Sequence, residues 1–378
     1  MNHVIIPQDF IIDNNGYLDT KKPQTTYKIK YVSQYIQNWL HVVTNIPEVQ
    51  NINFVDCMCN AGIYRDGEVG TSIKVLQCFN EIAKEHPDKS FNLVLNDINS
   101  KRLEIIQQLI DAYIGIASSN IHIIVSQEDV NQLLLNDLFF NQLFNCYPRR
   151  SANVVFVDPY NFCTVRISSL RYFLSKYYCE LIFNVFTNDF VRNQDKQKMQ
   201  RFCQSENIKL GTKDEMIAFI TSQLKVGHIK YSFSYEFKII KNVELYQIMF
   251  FTPSLRGLEK LKDALWGTFN GKDFYKTENS TCDQLSLFSE EDEKAAMLSY
   301  HSSKAKDLLL ENLSGEILDY SAIEEFIIEN TILSGTQVIK NVLKPLIQNG
   351  SIVKLGLVSN ASNYKNDQYQ IGVKNEDH

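Results

Sequence analysis

Positive charge is not in excess: Lys+Arg 38 stand against Asp+Glu 44, a formal net charge of −6. A protein that coats nucleic acid by bulk charge is basic, because each neutralised phosphate needs a Lys or Arg, so any nucleic-acid contact here is local. Nor is there an apolar run of the ~18–20 residues a helix needs to cross a bilayer. The first ten residues lack the basic region, apolar stretch and small-residue cleavage site of a secretory signal, and the chain reads as cytoplasmic. The eight cysteines include no paired CxxC spacing. Cys57 and Cys59 form a CxC with no second pair or His cluster to complete a metal site, so the thiols are expected to be reduced and packed as small hydrophobes, with no metal. None of the scattered histidines pairs with a Ser or Cys nucleophile, which leaves hydrolase chemistry unsupported. A GxGxxG fingerprint and a Walker A Gly-Lys-Ser loop are both missing, and with them the usual phosphate cradles. No internal repeat is visible.

What is present is a large apolar complement: 378 residues, 44% hydrophobic, with 23 Phe and 19 Tyr. That length predicts two or three domains, each able to bury a core. Over 25–43, Ile29, Val32, Tyr35, Ile36, Trp39 and Leu40 recur at spacings of three and four, the period of an amphipathic helix. Five short apolar runs follow, at 53–58, 91–95, 121–125, 153–157 and 181–186. They alternate with helical segments, including 72–85 and 131–144, and each ends in polar or acidic residues. This pattern predicts an α/β fold with a parallel, doubly wound Rossmann-like sheet, whose ligands bind beyond the carboxyl ends of the strands. The expected organisation is an N-terminal helical segment (1–48) packing on the core, then the Rossmann-like domain (49–269). That domain carries a helical insertion near 190–228 and a late antiparallel pair at 231–240 and 244–252. A linker (270–300) with the acidic run Glu290-Glu291-Asp292-Glu293 leads to a domain at 301–378. There, helical patterns at 321–330 and 335–348 followed by a hairpin with a polar tip at 360–366 are the order of a winged helix.

The first strand-turn reads Asp56-Cys57-Met58-Cys59-Asn60-Ala61-Gly62. An acid there repels phosphate and pairs with an ammonium or a sulfonium, which favours S-adenosylmethionine. Asn60 and Gly62 would shape the turn, since Asn is the non-Gly residue that best tolerates positive φ. Asp97 is expected to accept from ribose hydroxyls, and Asp129, or its neighbour Glu128, from the adenine amino group. Asp158-Pro159-Tyr160 at the fourth strand end offers a carboxylate and a carbonyl to a substrate N–H and an aromatic plane to a flat base, the catalytic set of an amino-group methyltransferase. Asn188, Asp189 and Arg192 follow the fifth strand on the same edge. Tyr64-Arg65-Asp66-Gly67 reads equally as a lid over the cofactor or a surface turn. Arg149-Arg150 before the fourth strand is a candidate phosphate-steering pair. In the winged helix, Gln337, Lys340, Asn341 and Lys344, with Lys354 and Lys365 near the wing, are candidate nucleic-acid contacts, although winged helices also serve protein contacts. Pro345 is expected to kink or shorten the recognition helix.

Several segments together resemble the three-Cys-motif partner family of bacterial methyltransferase-like proteins. They are 28–39 (KIKYVSQYIQNW), 54–71 (FVDCMCNAGIYRDGEVGT), 156–162 (FVDPYNF), 183–193 (FNVFTNDFVRN), 256–266 (RGLEKLKDALW) and Asp283-Gln284-Leu285-Ser286-Leu287-Phe288. The family's first turn is closer to Asp-x-Phe-Ala-Gly-Pro-Gly; here Asn60 stands at its first glycine, Ala61 at its proline, and Asn161 replaces a common glycine after Asp-Pro-aromatic. The resemblance covers about three quarters of the chain. It implies an S-adenosylmethionine-dependent methyltransferase fold, a terminal winged helix and a partner with a three-cysteine motif encoded nearby. The expected function is methylation of an exocyclic amino group of a DNA or RNA base. The alternative is a catalytically inactive Rossmann and winged-helix module that binds nucleic acid or a protein, for example in mobile-element or phage-defence functions.

Overall fold

The structure, a computed structural model, describes residues 6–144, 150–193, 195–204, 210–240, 243–272, 289–356 and 364–372. The described residues fall into two compact units, one up to Gly257 and one from Leu258 onward.

In the first unit α1 (Gln8–Asn14) precedes α2 (Pro23–Val43). Pro23 opens α2 at no cost, because the first helical N–H has no intrahelical partner to lose. All six residues of the expected apolar face are buried, joined by Tyr31 and Val43. Strands β1 (Asn51–Asp56), β2 (Ser90–Asn96), β3 (Ile121–Ser126), β4 (Ser151–Val157) and β5 (Glu180–Val185) are parallel, and β6 (Tyr231–Ile240) and β7 (Val243–Thr252) form an antiparallel pair. The sheet order is 3-2-1-4-5-7-6, with β7 antiparallel to β5. Chain order reverses between β1 and β4, and a crevice opens at their carboxyl ends, as in any doubly wound sheet. β1, β4 and β5 are almost wholly buried because helices cover both faces.

The register of the central strands is held by an asparagine ladder. Asn92 Nδ2 donates to Asn53 Oδ1 (2.8 Å), and Asn53 Nδ2 donates to Asn153 Oδ1 (2.7 Å). These residues sit directly opposite one another in β2, β1 and β4. A one-residue slip would break the bonds that join two buried amides and a half-buried one, so the ladder selects one register.

Helices α3 (Thr71–Ile82) and α4 (Ser100–Leu109) follow β1 and β2. The single helix expected over 131–144 is two, α5 (Val130–Leu134) and α6 (Asp137–Leu143), because the Asn136 side chain accepts from Phe139 N and starts a new helix. α7 (Ile167–Lys176) lies between β4 and β5, where Phe140, Phe144, Phe173 and Tyr177 form an aromatic cluster in the core. The expected insertion is α8 (Thr187–Asn193), α9 (Lys196–Cys203) and α10 (Lys213–Leu224). After β7 comes α11 (Leu255–Phe269).

The second unit takes in α11 from Leu258, then α12 (Glu290–Leu313), β8 (Ile317–Asp319) and α13 (Tyr320–Asn330). The recognition helix is α14 (Gly335–Val338), a π turn (Ile339–Leu343) and α15 (Lys344–Gln348). β9 (Ile352–Lys354) and β10 (Gln368–Ile371) complete an antiparallel sheet of order 8-10-9. Trp266 Nε1 donates to Ile332 O at 2.8 Å, so α11 closes the helix-turn-helix from behind. Two expectations change here. The acidic run read as linker is the first turn of α12, capped by Ser289 and Asp292, where acids meet the positive end of the helix dipole. Pro345 does not shorten the recognition helix, which runs on to Gln348: the extra residue of the π turn makes room for a ring that would clash with the carbonyl four residues back. Residues 273–288 of the expected linker and 360–363 of the wing tip lie outside the described residues.

Candidate functional site

A cleft of about 310 Å³ opens at the carboxyl ends of β1 and β4. Its walls include Asp56, Asn60, Gly62, Asp158, Pro159 and Tyr160, so six of the eight residues assigned from sequence to cofactor and catalysis converge there.

Asp56 ends β1 with 2% exposure and accepts hydrogen bonds from Met58 N (3.2 Å) and from Ser72 Oγ of α3. Burial pushes its carboxyl up to about 7; the two hydrogen bonds oppose the rise, and the charge of Asp158 adds to it. Asp158 follows β4 and makes an ion pair with Lys28 of α2. Its Oδ1 also accepts from Asn184 Nδ2 (3.0 Å), and Tyr31 donates to Asn184 Oδ1 at 2.5 Å. Lys28 and Tyr31 lie one helical turn apart on α2, which is why both reach the same strand ends. The cleft thus brings the carboxyl that ends β1 beside an ion pair between the carboxylate after β4 and an ammonium from α2.

Asn60 adopts φ 59°, the left-handed conformation its residue type tolerates, and its N–H donates to Asp97 Oδ2 at 3.1 Å. Its side chain turns to Asp19. Gly62 has φ 71°, and a Cβ there would stand 2.6 Å from Ile106 Cγ1, so this glycine serves the turn and the seating of α4. Tyr160 is 52% exposed; Arg102 of α4 donates to its hydroxyl (2.6 Å) and lies 5.6 Å from the ring centroid. Arg102 also binds Asp19 (3.1 Å), so residues 19, 102 and 160 bridge the mouth of the cleft. Tyr64 lines the cleft, whereas Asp66 pairs with Lys21.

Asp97 and Asp129 do not line it. The Asp97 carboxylate holds two backbone turns, through Asn60 N and Asn99 N (2.8 Å), and Asp129 caps α5 through Asn131 N (2.9 Å). Glu128 accepts from Asn136 Nδ2 (3.2 Å). Asp189 accepts from Phe162 N (3.0 Å) beside the cleft loop. Arg150 precedes β4, at the edge of the sheet opposite the cleft, while Arg149 and the side chain of Asn188 lie outside the described residues. In the winged helix Lys340 and Lys344 are exposed, and Gln337 Oε1 accepts from Ser334 N (3.1 Å) in a capping box. Near the wing, Lys344 and Lys354 stand 5.3 and 5.5 Å from the Tyr364 ring centroid.

Lys28, Asn184, Arg102 and Asp19 are site residues that the sequence reading did not single out. Asn184, a lone amide in the apolar run of β5, was the signal within reach; the rest come from elements distant in sequence.

The fold defines a two-part protein, a Rossmann-like α/β unit joined to a winged-helix unit. Residues 273–356 match the family described as the GMT-like wHTH domain. No curated protein matches the chain. Among solved structures, the small RNA methyltransferase HEN1 is similar at 12% identity with a TM-score of 0.35, over 58% of this chain and 25% of that one. The chain thus spans about a quarter of that protein's length. A 16S rRNA (adenine(1408)-N(1))-methyltransferase variant from Catenulisporales acidiphilia is similar at 10% identity with a TM-score of 0.29, over 57% of this chain and 90% of that one. A variant of MtNAS follows at 9% identity and a TM-score of 0.26, over 65% of this chain and 70% of that one. Among the described residues no helix is long and apolar enough to cross a membrane.

Proposed function

We propose that the protein is an S-adenosylmethionine-dependent methyltransferase acting on an exocyclic amino group of a nucleobase in DNA or RNA. The observation that carries this reading is the meeting of Asp56, Asp158 and Lys28 in one cleft beside Pro159 and Tyr160. A donor set of both signs suits the zwitterionic methionine end of the cofactor, and the cleft volume is at the lower end of the range for small-molecule sites. When bound, the cofactor supplies a methyl group on a sulfonium, already a good leaving group. The chain's own part is positioning. Lys28 is paired with Asp158, and each carboxylate oxygen holds two lone pairs, so the contacts to Lys28 and Asn184 leave acceptor capacity for a substrate N–H. The Pro159 carbonyl is the second acceptor. Tyr160, braced by Arg102, offers its ring to the base. The recognition helix, through Lys340 and Lys344, is the candidate nucleic-acid contact of the second unit. A partner carrying a three-cysteine motif and a cytoplasmic setting belong to the same proposal, and co-purification of the neighbouring gene product tests the partner.

S-adenosylhomocysteine is expected to raise the melting temperature of the intact protein, and labelled methyl transfer to DNA or RNA is expected to disappear in Asp158→Ala. No thermal shift at saturating ligand overturns the reading. The second reading, an inactive Rossmann and winged-helix module, is favoured by Asn60 tied to Asp19 and by Asp97, which lies outside the cleft lining. Methyl transfer that depends on Asp158 would eliminate it.

A further inference from the structure

A second concavity of about 530 Å³ lies outside the cleft, lined by Arg166, Gln197, Gln200, Arg201 and Gln204. Gln197, Gln200, Arg201 and Gln204 are spaced at i, i+3, i+4 and i+7 along α9 and its C-cap, so they form one polar stripe. Facing it, Arg166 stands at the N-cap of α7, a position with no side-chain cap, where the free N–H groups carry partial positive charge. Both guanidinium groups are exposed, and among the described residues no carboxylate is paired with either. Gln204 is fixed by Ser168 and closes α9 in the left-handed conformation, with φ 51°.

The groove is built onto the loop that carries the cleft. Asp158, Pro159 and Tyr160 begin the segment that ends at Arg166. α9 rests on its middle: Phe202 stacks edge-on against Phe162 at 5.7 Å, and the charges of Arg201 and Lys198 reach Cys163. Charge is concentrated here. Residues 166–204 hold seven Lys and Arg against three acids, in a chain whose overall balance is −6.

We propose that this groove binds the phosphodiester backbone of a polynucleotide and leads one strand toward the cleft. Guanidinium forks match phosphate oxygens, and glutamine amides donate to phosphate and sugar without adding charge. The proposal rests on the reading of the first unit as acting on nucleic acid and adds the surface that holds it. It also moves the phosphate contact from the amino edge of the sheet, where Arg150 lies, to the carboxyl edge.

The test is salt-dependent binding of a labelled single-stranded RNA, and of a DNA of the same sequence, to the full chain. Arg166→Gln with Arg201→Gln is expected to flatten the slope of log affinity against log salt by about 1.4, two contacts at about 0.7 each for a single strand. Gln197→Lys, an exposed change that adds one cation, is expected to steepen it by about 0.7. The proposal is overturned if neither variant changes the slope, if the full chain binds neither polynucleotide, or if poly-glutamate binds with the same response to both variants, which would assign the groove to an acidic protein surface. Should the double variant fail to fold, seen as loss of its thermal transition, Gln197→Lys alone decides. Groove-dependent binding without methyl transfer would sink the methyltransferase reading and leave the groove standing.

Discussion

The ammonium of Lys28 and the carboxylate of Asp158 are 12% and 16% exposed and come from elements 130 residues apart. Removing one partner leaves the other charge unpaired and largely, though not wholly, shielded from water. Lys28→Met is therefore expected to cost about 2 kcal/mol, less than the ~3–5 kcal/mol of a fully buried pair. Adding Asp158→Asn is expected to recover part of the loss, and a double-mutant cycle by urea unfolding reads the difference. Two other carboxyls are buried outright. Burial pushes both Asp56 and Glu180 up to about 7, the latter although Tyr35 and Thr252 donate to it. Their ordinary values are 3.8 and 4.5, so between those values and about 7 the native state holds protons that the unfolded chain has released. Stability accordingly falls as pH rises through that window. Asp56→Asn with Glu180→Gln is expected to flatten the fall of the unfolding midpoint between about pH 4.5 and about pH 7.5. An unchanged pH profile would show that other groups set it.

At the scale of elements, apolar period and strand-end chemistry made the five parallel strands and α2 legible. What they could not reveal was how neighbouring strands align. That alignment is the work of Asn92, Asn53 and Asn153, polar residues in runs whose pattern argues only for burial. Asn53→Leu is expected to destabilise the protein by about 1–3 kcal/mol, because it removes the partner of the buried Asn153 amide and of the half-buried Asn92 amide. Asn53→Leu with Asn153→Leu is expected to cost less than Asn53→Leu alone, and denaturant midpoints of the two variants check the ordering. The break between α5 and α6, the capped acidic turn of α12 and the π turn before Pro345 were missed for a common reason. Each is a local hydrogen-bonding choice that leaves the hydrophobic period almost unchanged.

The described residues form two compact units. Scanning calorimetry of the intact chain is expected to resolve two transitions, and S-adenosylhomocysteine is expected to raise one and leave the other in place. A single transition that shifts as a whole would show that the units unfold together. The candidate site belongs entirely to the first unit, and the exposed lysines of the recognition helix to the second.

The sequence by itself determined the parallel Rossmann-like sheet, the winged helix, and the convergence of Asp56, Asn60, Gly62, Asp158, Pro159 and Tyr160, because strand polarity carries every strand end to one edge. It was equally enough to exclude binding of nucleic acid by bulk charge. Only the tertiary structure decided which acids line the cleft and which, like Asp97 and Asp129, lie outside it and hold a turn or a helix cap. Only it brought Lys28 to Asp158, and Arg166 to Arg201. The physical reason is that such pairings depend on distances between elements far apart in the chain, and periodicity fixes which way a residue faces but not what it meets.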